Sequence, residues 1–202
     1  MPIGIEYDQR TGQYRGSDGR FVGRSRVESL VQGELSRNQD LMRDLTTKLI
    51  GSDLSLADWQ KAIASQLRDS HIRMGLLASG GKNAIGPAGL ESITDNLNTQ
   101  YQYFNDFSAA IEKGDLSDAQ IMARIGQYAR SSKTTFYRLE LETRLDNGFK
   151  RGKRLLDAQS NHCAACIEHQ RPEWVDLSDI IAPGLNCDCR MNCRCRVMYS
   201  RF

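Results

Sequence analysis

The residues most able to do chemistry are gathered between positions 161 and 199. All six cysteines fall there: Cys163, Cys166, Cys187, Cys189, Cys193 and Cys195. They read C-x-x-C, a long spacer, then C-x-C-x-x-x-C-x-C. A Cys-x-x-Cys turn can aim both sulfurs at one tetrahedral metal, and a second close pair can complete the shell. Cys163 and Cys166 are the primary ligand pair on this reading. The remaining two ligands come from Cys187, Cys189, Cys193 and Cys195, with Cys189 and Cys193 favoured and Cys195 next. Six thiols exceed one tetrahedral shell. A binuclear cluster that adds His162 or His169 is the larger alternative, and an iron–sulfur cluster also uses four thiolates. With no other redox signature, the expected cofactor is a structural Zn2+.

The start, MPIGIEYDQR, lacks the apolar core of a signal peptide. No apolar run approaches the roughly 20 residues of a membrane span. The expectation is therefore a reducing cytosol, where clustered cysteines favour metal over three disulfides. Catalysis finds little support. A closed four-thiolate shell leaves no position for water, the deaminase H-x-E with P-C-x-x-C is missing, and no H-E-x-x-H or serine triad is visible. The chain is expected not to be an enzyme.

Helices must carry this knuckle. Residues 1–23 hold turn signals at Thr11-Gly12 and Ser17-Asp18-Gly19, between Tyr7, Tyr14 and Phe21. They read as an extended arm or a hairpin. Ser25 and Glu28 form a capping box for a first helix that Gly51 closes, with Gly33 as a point of interruption. Ser55 and Asp58 open a second helix, striped by Trp59, Ile63, Leu67, His71 and Met74 and ended by Gly80-Gly81. A lone histidine on such a face is a packing residue. The glycine-rich link 80–89 lacks the order of a phosphate loop and reads as a hinge or loop. Leu90, Ile93, Leu97, Tyr101, Phe104 and Phe107 mark a third helix as core. Ser117 and Gln120 cap a fourth, which runs to about residue 158, with a weak point at 131–135 and an i,i+4 pair between Glu140 and Arg144. The basic run Lys150, Arg151, Lys153 and Arg154 then reads either as a solvated helix end or as a contact for nucleic acid or an acidic partner.

The expected fold is mainly α: a body of about four helices over 24–158, preceded by the arm 1–23. A zinc-stapled, loop- and β-rich knuckle follows at 159–202. Aromatic residues make up only 7% of the chain, which suits a thin core or burial against partners. The net charge of +2 is too small to predict nucleic-acid binding by itself.

The tail also resembles a known family. Helix, basic residues, Leu-Asp-Ala, Cys163-x-x-Cys166, a spacer with Trp174 and Pro183-Gly184, then Asn192-Cys193-Arg194-Cys195-Arg196-Val197 is similar to the C-terminal domain of head-morphogenesis or minor head proteins of tailed bacteriophages. The helical stretch 126–157 resembles the region before that motif. The family often has His-Pro before Asn-Cys-Arg-Cys, where this chain has Arg190-Met191, and Cys187 and Cys189 are additions. Cys189 would replace the missing histidine as a ligand. The resemblance implies a minor structural protein of the virion, assembled in the host cytoplasm at the head or the head–tail vertex. It implies portal and other capsid or connector proteins as partners, no membrane, possible contact with packaged DNA and several copies in a symmetric assembly. A neck or adaptor protein is the nearest variant. The other alternative is a zinc-dependent nucleic-acid-binding module using the basic run with Arg190, Arg194 and Arg196.

Overall fold

The computed structural model describes residues 4–8, 10–81 and 84–202. Part of the chain's start and the middle of the glycine-rich link lie outside the described residues. Three strands come first: β1 (Ile5–Asp8), β2 (Gln13–Gly16) and β3 (Phe21–Val22), paired antiparallel in that order. Four long helices follow, α1 (Arg24–Ile50), α2 (Leu56–Ser79), α3 (Pro87–Glu112) and α4 (Asp118–Asp146). The tail adds β4 (Arg151–Leu155), a short α5 (Ala164–Glu168), β5 (Arg171–Asp176) and β6 (Arg196–Ser200). The protein is mainly helical, with small sheets and the cysteines gathered at its C-terminal end.

Two of the expected caps form. The Ser55 hydroxyl accepts from the Asp58 N–H at 3.1 Å, and Ser117 and Gln120 make a reciprocal capping box. The Ser25 box does not form. α1 starts two residues earlier, with extended Gly23 at its N-cap and no side-chain cap, and it passes through Gly33 without a break. α4 also ends earlier than the periodicity suggested, at Asp146 rather than near 158. Asn147 and Gly148 (φ +76°) turn the chain out of the helix. The basic run that followed is not a helix end. It forms β4, the central strand of an antiparallel sheet ordered β5-β4-β6.

α2 and α4 pack in the middle of the bundle, flanked by α1 and α3. One apolar cluster joins Val27, Val31, Met74, Leu77, Phe136 and Leu139. A second joins Met42, Trp59, Ile63, Phe104, Phe107 and Ile125. Between them along the helices lies a buried polar layer. Ser70 donates to Ser132 at 2.6 Å. The His71 Nδ1 pairs with the Thr135 hydroxyl at 2.8 Å and its Nε2 with the Ser131 hydroxyl at 3.1 Å. Asn38 donates to the Ala129 carbonyl at 2.7 Å. The segment 131–135, read as a weak point of α4, is thus continuous helix whose hydroxyls satisfy His71. Burial lowers the His71 pKa to about 4.

The N-terminal sheet lies on this chain's own helices. Ile5, Tyr7 and Tyr14 are buried in the first cluster. Tyr14 donates to the Ala78 carbonyl at 2.7 Å, and the Tyr7 N–H to the Gly80 carbonyl at 3.0 Å. Gly80 is left-handed, and a Cβ there would collide with Tyr7. Glu140 and Arg144 do not pair with each other. Glu140 takes Arg24 and the Tyr199 hydroxyl. Arg144 donates to the Gly12 carbonyl at 2.6 Å.

Candidate metal centre

Two short segments build the cysteine cluster, the turn that opens α5 and the stretch 187–195 that leads into β6. Cys163 is the N-cap of α5, so Cys163 and Cys166 lie one helical turn apart on the same side. The second knuckle, 184–193, is a run of tight turns. Gly184 (φ +87°), Asn186 (φ +50°) and Arg190 (φ +42°) take left-handed backbone. The Arg190 N–H reaches the Cys187 carbonyl at 3.1 Å, and the Asn192 N–H the Cys189 carbonyl at 2.7 Å. Gly184 must be small as well as left-handed: a Cβ would meet Thr134 of α4 and the Arg190 carbonyl, each at 2.9 Å. His169 pairs through Nε2 with the Asn186 carbonyl at 2.9 Å, tying α5 to this knuckle. Cys193 and Cys195 then lead into β6.

The sulfurs converge. Ligand atoms of Cys163, Cys166, Cys187 and Cys189 all lie within 4.8 Å of one another. Cys163 and Cys189 are 3.8 Å apart, Cys166 and Cys189 3.3 Å, and Cys187 and Cys189 3.3 Å. A tetrahedron with metal–sulfur bonds of about 2.3 Å has sulfur–sulfur edges of about 3.8 Å. These spacings exceed the roughly 2.05 Å of a disulfide, and all six cysteines are free. Cys187, ranked last from sequence, joins this group. Cys193 is placed 3.7 Å from Cys166, and Cys195 falls in a second group with His162 and Cys166.

The electrostatics fit a thiolate site. The Cys189 backbone N–H lowers the Cys163 thiol to about 6, against burial and with help from the Cys166 N–H. Burial pushes the Cys166, Cys189 and Cys195 thiols up. Burial also opposes ionisation of Cys193, but hydrogen bonds from Cys195, Cys166 and Cys189 together lower that thiol. Crowded, buried thiols whose neighbours resist ionisation are a donor set that a soft divalent cation would deprotonate and hold together.

Two cations brace the cluster, and the residue pattern had hidden both. Arg154 was read as part of an exposed basic patch. It is fully buried, because alternation along β4 turns it inward. Its Nη1 donates to the Ile181 carbonyl at 2.8 Å, and its Nη2 lies 3.7 Å from the Cys166 sulfur. Lys133 reaches the same region from α4, donating to the Cys193 carbonyl at 2.8 Å. Lys150 and Arg151 remain exposed. Arg151 is held by the Trp174 carbonyl, and the Lys153 ammonium sits 5.1 Å over the Trp174 ring. The sequence Arg-Gly-Lys-Arg-Leu over 151–155 has no apolar–polar alternation that marks Arg154 as an inward residue, and its burial follows from the strand itself. Nothing local marked Lys133.

The fold and cluster together define a four-helix protein with a cysteine-knuckle tail compatible with a metal site. Comparison with protein families, curated proteins and solved structures finds no match for this chain. No helix among the described residues is long and apolar enough to cross a membrane.

Proposed function

We propose that this chain is a minor structural protein of a tailed-phage virion. On this reading it sits at the portal or head–tail connector, with a structural Zn2+ folding its tail. One observation carries the proposal. The Cys163-x-x-Cys166 turn and the Asn192-Cys193-Arg194-Cys195 ending, the two halves of the resembled motif, meet in a single sulfur cluster. Cys163, Cys166, Cys187 and Cys189 would hold the ion. A closed shell of four sulfurs offers no open position for water, so on this reading the metal folds the tail and does no chemistry itself, and the chain is proposed as a structural protein rather than an enzyme. The tail needs such a staple, because its own apolar core is little more than Leu177, Ile180 and Val197.

Quantitative mass spectrometry of purified particles tests the assignment. The chain is expected in a fixed, low ratio to the major capsid protein and in constant ratio to the portal. Its absence from particles would overturn the reading.

A second reading, a nucleic-acid-binding module, keeps exposed Arg194 and Arg196 beside the knuckle but loses Arg154 to the interior. Phosphate contact through the remaining cations would give affinity that falls steeply with salt. Binding to duplex DNA that is absent or insensitive to salt removes it.

A further inference from the structure

The cluster holds more donors than one ion can use, and their arrangement is ordered. Cys166 belongs to two groups. One is Cys163, Cys166, Cys187 and Cys189. The other is His162, Cys166 and Cys195, again with ligand atoms within 4.8 Å of one another. Cys193 falls in neither group as placed, but it is buried with its sulfur 3.7 Å from that of Cys166, and it is the cysteine left to complete the second shell. His162 is prepared for such a role. Its Nε2 pairs with the Asp157 carbonyl at 2.7 Å. A carbonyl can only accept, so Nε2 carries a proton, and in the neutral ring the lone pair for a metal is then on Nδ1. This is the second-sphere arrangement that metal-binding histidines use. His169, by contrast, belongs to neither group.

We infer that the tail binds two divalent d10 ions that share the Cys166 thiolate. The first is held by Cys163, Cys187 and Cys189 with the bridge, and the second by His162, Cys193 and Cys195 with the same bridge. Each ion then has four donors, and none of the six cysteines is left over. Bridging explains why Cys166 is wholly buried at the centre of the cluster. The charge also closes. Six thiolates and two divalent ions leave about −2, and the Arg154 guanidinium and Lys133 ammonium lie against that charge. Both ions would be structural, since neither shell leaves a position for water. The inference extends the four-cysteine site proposed above and rests on it.

Native mass spectrometry of the full chain, purified with zinc, counts the ions directly. Two zinc ions per chain are expected. One ion would overturn the second site and leave the first standing, whereas none would overturn both. In chain exchanged with cadmium-113, two NMR resonances coupled through the shared sulfur are expected, and two uncoupled resonances would overturn the bridge. His162→Ala and Cys195→Ser should each lower the count from two to one and keep the resonance of the Cys163 site. If both variants keep two ions, or both lose every ion, the assignment of the second shell is wrong.

Discussion

Lys133 on α4 donates its ammonium proton to the carbonyl oxygen of Cys193 at 2.8 Å. This bond joins the helical body to the sulfur cluster directly, next to the packing of Gly184 on Thr134. Lys133 is half-buried, and burial lowers its pKa while the Cys193 thiolate works against that. Lys133→Met keeps the stem and removes the donor. If the tail binds zinc as proposed, the variant should lose it to a chromogenic chelator about tenfold faster, corresponding to roughly 1.5 kcal/mol for a charged hydrogen bond. An unchanged release rate would mean that the tail holds its metal without help from α4.

Arg144 makes a second junction. Its guanidinium lies 4.9 Å from the Tyr7 ring, 5.2 Å from Tyr14, 5.0 Å from Phe149 and 5.4 Å from Tyr199. One cation therefore touches rings from the N-terminal sheet, the end of α4 and the tail sheet. Arg144→Lys keeps the charge but loses the planar stack and the bond to the Gly12 carbonyl. It should cost about 2–4 kcal/mol. Urea unfolding of the metal-loaded protein checks this. A loss below about 0.5 kcal/mol would show that the rings pack equally well without the fork.

The polar layer sets an acid limit on the body. His71 is buried and neutral, with a folded pKa of about 4 against an ordinary value of 6.5. The unfolded chain takes up this proton first as pH falls. The contribution is therefore complete above pH 6.5, is lost progressively below it, and stops changing near pH 4. Its size is roughly 3 kcal/mol. Urea denaturation followed by Trp59 in a Trp174→Phe background reports the body alone, because Trp59 lies in the second helical cluster. His71→Gln should flatten the profile between pH 6.5 and 4. A profile as steep as that of the parent would assign the acid loss to other groups.

The helices were legible wherever local chemistry decided them. The Ser55 and Ser117 caps and the Trp59–Ile63–Leu67 stripe are short-range features, and each appears where its spacing put it. The cysteine cluster was legible as a cluster, since only a common centre explains such spacing. Which sulfurs share a shell was not, because the turns at Gly184, Asn186 and Arg190 decide whether Cys187 or Cys193 faces Cys163. Residues 150–154 misled for a related reason. A basic run looks the same at a helix end and on a strand, and its strand partners lie at Arg171 and Val197. The Asn147-Gly148 stop was present and was the missed cue. Glu140 and Arg144 have helical spacing for an ion pair, yet partners from the N-terminal segment and from Tyr199 draw them apart.

Removing metal should separate the tail from the body. α1 to α4 keep their own apolar clusters and the His71 layer, none of which uses a cysteine. Once the sulfurs are released the tail has the small Leu177–Ile180–Val197 core, with Val175, Phe149, Tyr199 and Leu141 of α4 packed on it. Chelation, or Cys163→Ser, should therefore unfold the sheet around β4 while far-UV circular dichroism keeps most of its helical signal. The two tryptophans separate these events. Trp174, under the Lys153 ammonium at 5.1 Å, should shift toward the emission of a solvated indole. Trp59, fully buried and donating to the Thr46 hydroxyl at 3.1 Å, should not. Single-tryptophan variants titrated with chelator read both. If Trp59 shifts together with Trp174, the body depends on the tail, and the Arg144 and Lys133 junctions make one cooperative unit of the two. If neither shifts, the tail folds without metal, and its sulfurs have another use.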